Sequence, residues 1–156
     1  MVPSQDAPLL GRRGGCFGGR PQAAYAYGFN FPALNASVAE ARRRVLTRLR
    51  EWGIDETACD DARLVVSELF TNAVRHTDSD KVSCHLRVNE ALVRIEVADH
   101  GCAPTEPRAR CSGTDEESGR GLLLVGALSQ AWGVRPDDAG RGRIVWADLP
   151  HRRLCP

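Results

Sequence analysis

The sequence predicts an α+β fold: a two-layer α/β sandwich with helices on one face of a mixed, mostly antiparallel sheet. Three observations predict it. Short stretches alternate apolar and polar residues with period two, as half-buried strands do. Longer stretches space apolar residues by three or four, as amphipathic helices do. Their order along the chain is β-α-α-β-β-loop-α-β-β, without an internal repeat.

Residues 1–20, "MVPSQDAPLLGRRGGCFGGR", are rich in Gly, Pro and Arg and lack periodicity. They are expected to form a flexible tail. Residues 21–150 are expected to form one domain, with 151–156 as a short C-terminal tail. In "AAYAYGFNFP", Tyr25, Tyr27, Phe29 and Phe31 alternate, which predicts a strand with one face on a core, stopped by Pro32. "NASVAEARRRVLTRLREWG" follows as a helix. Asn35 is its expected cap, Val38, Ala41, Val45, Leu49 and Trp52 its apolar face, and Gly53 its stop. Arg42, Arg43, Arg44, Arg48 and Arg50 fall mostly on the other side and read as a solvated face; docking of an acidic partner is the alternative.

"DETACDDARLVVSELFTNAVRHT" is the second helix, capped by Asp55, with Ala58, Ala62, Val65, Val66, Leu69 and Ala73 as its buried stripe. "KVSCHLRV" and "LVRIEVAD" alternate and meet at Asn89-Glu90, which predicts a hairpin. Val82, Cys84, Leu86, Val88, Val93, Ile95 and Val97 would face the core; Arg87, Arg94 and Glu96 would face out. Residues 100–118 hold several breakers and no pattern, as a functional loop does. "GRGLLLVGALSQ" restarts a helix with glycines at its entrance, and "AWGV" and "GRIVWADL" close the chain as strands.

At 156 residues the chain is long enough to bury a core. Its net charge of +1 offers no electrostatic attraction for nucleic acid or a membrane surface. Lys81 is the only lysine, so lysine chemistry rests on it alone, and no GxxxxGK phosphate loop exists. The six cysteines, Cys16, Cys59, Cys84, Cys102, Cys111 and Cys155, form no CxxC pair and read as isolated reduced thiols. No run approaches the ~18 apolar residues of a membrane span, and the N-terminal residues lack a signal peptide's apolar stretch. A cytoplasmic protein is expected.

Four short signals carry candidate chemistry. In "VVSELFTNAVRHT", Glu68 and Asn72 lie one helical turn apart beside the apolar stripe, with His76 a further turn on. A carboxylate there can accept a proton or orient a nucleophile, and a carboxamide oxygen is a hard ligand for Mg²⁺. An ordinary polar helix edge has the same spacing. In "VADHG", Asp99 ends an apolar strand, where it can accept from an exocyclic amine such as that of adenine. Gly101 allows close approach of backbone to a ring; both are also normal turn residues. In "SGRGLLLV", a GxG before a helix exposes N–H groups to an anion such as triphosphate, with Arg120 adding charge; a glycine hinge is the alternative. "GRGRIVWADL" is a glycine turn into the last strand.

In this order the signals resemble the GHKL, or Bergerat-fold, ATP-binding superfamily. "SELFTNAVRH", "DHG" and "SGRGLLLVGALSQAWGV" look most like its anti-sigma-factor, serine-protein-kinase branch of actinobacterial type, over roughly residues 23–149. The resemblance implies ATP and Mg²⁺ as cofactors. It implies that Glu68 is the catalytic base, Asn72 the metal ligand, and Asp99 the acceptor of the adenine amine with Gly101 beside it. Gly119, Arg120 and Gly121 would close on the triphosphate, and residues 100–118 would form a lid. Its partners would be a sigma factor and an anti-anti-sigma protein phosphorylated on serine. A homodimer, with the aromatic strand as candidate edge, is a further expectation. Three features depart from the family pattern: Ala103 where the second motif reads DxGxG, Arg143 where the last strand carries Ser or Thr, and the lack of a lid lysine. Ala103 and Arg143 keep a second reading open, a nucleotide-sensing switch without catalysis.

Overall fold

The alternation of aromatics builds an edge strand. In the computed structural model, which describes residues 25–77, 79–100, 115–137, 140 and 142–152, β1 runs Tyr25–Pro32. Two helices follow, α1 (Ala36–Glu51) and α2 (Glu56–His76). Then come β2 (Lys81–Val88), β3 (Leu92–Asp99), α3 (Asp115–Leu128), β4 (Ala131–Pro136) and β5 (Arg143–Pro150). The predicted element order is thus borne out. The strands form one five-stranded sheet in the order β1-β2-β3-β5-β4. Every pairing is antiparallel, so the sheet is not mixed. The expected tail at 1–20, Gly101, Ala103, Cys16, Cys102, Cys111 and Cys155 lie outside the described residues, as does most of the loop at 100–118.

Residues directly opposite in an antiparallel pair share a face. Val82, Cys84, Leu86 and Val88 of β2 therefore point the same way as Val93, Ile95 and Val97 of β3 and Val145, Ala147 and Leu149 of β5. All are buried, and α2 packs across β2, β3 and β5 on this side. The α2 stripe is buried as expected, and Cys59 and Phe70 join it with no exposure. On β1, Tyr25 stacks on Trp52 at 5.1 Å, and Phe31 meets Phe70 edge-on.

Helix ends show which local signals were strong. Asp55 caps α2: its Oδ2 accepts from the Ala58 N–H at 3.1 Å. Its Oδ1 accepts from the Arg152 N–H at 2.7 Å, which ties residues 151–152 back onto the domain. Gly53 adopts φ 79°, the left-handed position that ends a helix. Asn35 stands at the cap of α1 but has αR backbone angles and makes no side-chain capping bond, so that expectation fails. A capping side chain needs extended backbone to reach the first-turn N–H groups. Asn89 closes the β2–β3 turn, its Oδ1 accepting from the Ala91 and Leu92 N–H groups.

The arginines of α1 are engaged rather than simply solvated. Arg42 donates to Ser67 Oγ at 2.8 Å, and Arg44 donates to the Tyr27 hydroxyl at 2.7 Å. The Arg48 guanidinium lies 3.9 Å from the Tyr27 ring centroid, and Arg50 pairs with Glu56. Cation–π contact over the aromatic strand explains this better than a free charged face. On the far side of the sheet, Arg94 forks onto Asp148 at 2.7 and 2.9 Å and lies over Trp146. Arg135 reaches Glu96 at 3.4 Å. Glu96 points away from the helices, as expected, but is only 6% exposed, because these neighbours cover it.

Candidate functional site

Helix α2 sets Glu68, Asn72 and His76 on one side at successive turns, each half-buried. Helix α3 packs against α2 and arrives at Glu68 through Gly121. A Cβ on Gly121 would lie 2.5 Å from Glu68 Oε1, so the missing side chain makes room for the carboxylate. The structure therefore brings together two signals more than fifty residues apart in the chain. It also corrects one of them. Gly119 and Gly121 do not stand at the helix entrance but inside α3, which begins at Asp115. The free N–H groups of a helix belong to its first turn, so in this conformation they fall on 115–118 rather than on the glycines. The physical reason is permissive: no proline interrupts 108–135, and a helical glycine costs only about 1 kcal/mol. Arg120 is exposed.

Asp99 ends β3 opposite Val82 and Arg143, so its side chain lies on the helix side of the sheet, and the residue is buried. Arg143 Nε stands 3.4 Å from Asp99 Oδ2. The residue where the sequence departs from the family pattern thus pairs with the carboxylate expected to read adenine. Gly142 presses so closely on the Asp99 carbonyl that no Cβ fits there. Both Asn72 and Asp99 also have further interactions of their own.

Alternation sends the next residue the other way. His100 Nε2 meets Ser83 Oγ at 2.7 Å, and Ser83 Oγ meets Asn30 at 2.5 Å. This bridge over β1 and β2 holds the chain as it leaves Asp99. Sequence reading missed it. Ser83 sits among apolar neighbours in "KVSCHLRV", where a small polar residue gives no sign of its partners.

A helical layer on one face of an antiparallel sheet, with the acid, the amide and the glycine motif on the helical side, defines a two-layer α/β sandwich. The chain belongs to the family described as the histidine kinase-like ATPase domain, whose model matches residues 31–148. The GHKL resemblance is thereby borne out. No curated protein matches the chain. Among solved structures it is similar to the RsbU and RsbW domains of Rv1364c from Mycobacterium tuberculosis, with a TM-score of 0.56 and 21% identity. That match covers 85% of this chain and 36% of the other, so the chain spans about a third of that structure's length. It is also similar to a chain of the SiaB–SiaC complex from Pseudomonas aeruginosa, with a TM-score of 0.53 and 14% identity over 78% of this chain and 89% of that one. At these identities the likeness is one of fold. Among the described residues, no helix is long and apolar enough to cross a membrane.

Proposed function

We propose that the chain is an ATP- and Mg²⁺-binding regulatory protein of the anti-sigma-factor type, a serine kinase that phosphorylates an anti-anti-sigma partner. The observation that carries this reading is the seating of Gly121 against the Glu68 carboxylate. It joins the helix bearing the candidate base and metal ligand to the helix bearing the glycine motif. The likeness in fold to an RsbW domain and to a chain of the SiaB–SiaC complex supports the same class.

The residues fit the cofactors. Asp99 is a covered carboxylate at a strand end, suited to accept from an exocyclic amine. Asn72 offers a neutral oxygen one turn from Glu68. Among the described residues no group of three or more His, Cys, Asp or Glu could hold a metal ion. A cation here would rely on Asn72 and on nucleotide oxygens, the usual situation of Mg²⁺. Bound Mg²⁺-ATP would supply the phosphoryl group and neutralise its charge. Glu68 would orient the serine hydroxyl of the partner and accept its proton. Arg120 and the glycines would serve the phosphates only if the start of α3 unwinds, since Gly119 and Gly121 are helical in the structure. Gly101 and the lid at 100–118 belong to the same proposal, as do a cytoplasmic setting, a sigma-factor partner and homodimerisation.

The test is transfer of labelled phosphate from ATP to candidate anti-anti-sigma proteins. Wild type should transfer, and Glu68→Gln should lose about a hundredfold or more while retaining nucleotide. Wild-type transfer no greater than that of Glu68→Gln would remove the kinase reading. The Arg143–Asp99 ion pair favours a second reading, a nucleotide-sensing switch without catalysis. Saturable ATP binding without turnover would decide for it.

A further inference from the structure

The register of β3 and β5 places Arg143 directly opposite Asp99. Both side chains lie on the helix face, with 19% and 8% exposure, and the guanidinium Nε is 3.4 Å from Oδ2. Resting on the nucleotide reading above, we propose that Arg143 sets the affinity of this site by holding the base-reading carboxylate in an ion pair that an entering base must displace.

The competition is unequal. A base offers Asp99 a neutral amine N–H, whereas arginine offers a full charge and a fork of donors. A base N–H on a carboxylate is itself a charge-assisted bond, but the guanidinium adds a full charge of its own and a planar shape matched to a carboxylate. Coverage of the pair limits screening by salt. The competitor is also anchored. The Asp99↔Arg143 ladder position and the seating of Gly142 on the Asp99 carbonyl fix the start of β5 to the end of β3. Release of Asp99 therefore requires the arginine side chain to rotate away, not the strand to move. A serine or an uncharged side chain at 143 would remove this ion pair from the carboxylate.

The experiment is calorimetric titration of the full chain with Mg²⁺-ATP and Mg²⁺-ADP, comparing wild type, Arg143→Ser, Arg143→Met and Asp99→Asn. Arg143→Met keeps a long stem and its packing, so it serves if the serine variant does not fold. Both Arg143 variants should bind at least about tenfold more tightly than wild type, the gain expected once a covered ion pair no longer competes. Adding Asp99→Asn to either should abolish the gain. If the Arg143 variants bind no more tightly while Asp99→Asn still abolishes binding, Arg143 is not a competitor and the nucleotide reading stands. A gain that survives Asp99→Asn also overturns the proposal, because the effect must run through the carboxylate. If no variant binds at millimolar nucleotide, the nucleotide reading fails and this inference fails with it.

Discussion

Two glycines near the candidate site meet very different neighbours, and the same substitution should act oppositely on them. At Gly121 a new methyl would meet the far end of a flexible side chain, Glu68 Oε1. Glu68 can rotate away, and alanine is the better helix former by about 1 kcal/mol. Gly121→Ala should therefore leave the thermal midpoint unchanged or raised, yet move the carboxylate and lower phosphate transfer. A melt and a transfer assay on one sample check both halves. At Gly142 the methyl would overlap the Asp99 backbone carbonyl and crowd His100 Cα, neither of which can step aside alone. Gly142→Ala should cost about 1–3 kcal/mol in urea denaturation. These opposite signs follow from what each glycine touches, not from glycine itself.

At the scale of elements, Asp55 joins the first turn of α2 to Arg152, far along the chain. Asp55→Ala should cost about 1 kcal/mol, the usual loss of an N-cap. Burial pushes the Asp55 carboxyl up, but N–H bonds from Arg152 and Ala58 outweigh it, and the net shift is below the ordinary 3.8. A depressed folded-state value means the charged form adds stability at pH above 3.8, and the contribution disappears as pH falls through the folded value. Asp55→Asn keeps a capping oxygen and removes the charge. Its deficit relative to wild type should be present at neutral pH and vanish in strong acid, as urea midpoints across that range would reveal.

For the whole molecule, the two described cysteines lie at opposite sides of one core. Cys59 of α2 and Cys84 of β2 are both unexposed and unpaired with each other. Burial pushes the Cys59 thiol up to about 11 and the Cys84 thiol higher still. Thiolate is the reactive form, so both should resist alkylation at pH 8 in the native protein. Site-resolved mass spectrometry should find them labelled together, at a rate that rises with denaturant, because both become accessible only when the sheet and α2 separate. Labelling of one well before the other would mean that the two layers open independently.

Much was legible in local pattern. The aromatic alternation at 25–31, the stripe from Ala58 to Ala73, the Asp55 cap and the left-handed Gly53 each depend on neighbours a few residues away, and local spacing records such neighbours. The sequence by itself also determined the family, because Glu68, Asn72, Asp99 and the glycine motif stand in a recognisable order. Tertiary structure alone decided the contacts between distant segments: Gly121 against Glu68, Arg143 on Asp99, Ser83 bridging Asn30 and His100, and arginines of α1 resting on β1. Asn35 was misread because its backbone is αR, which residue type does not record, and the glycine motif of α3 because Gly121 is placed by Glu68, more than fifty positions away. Whether a residue caps, hinges or continues a helix depends on what the rest of the fold packs against it, and burial against distant partners outweighs propensities of a kilocalorie or less.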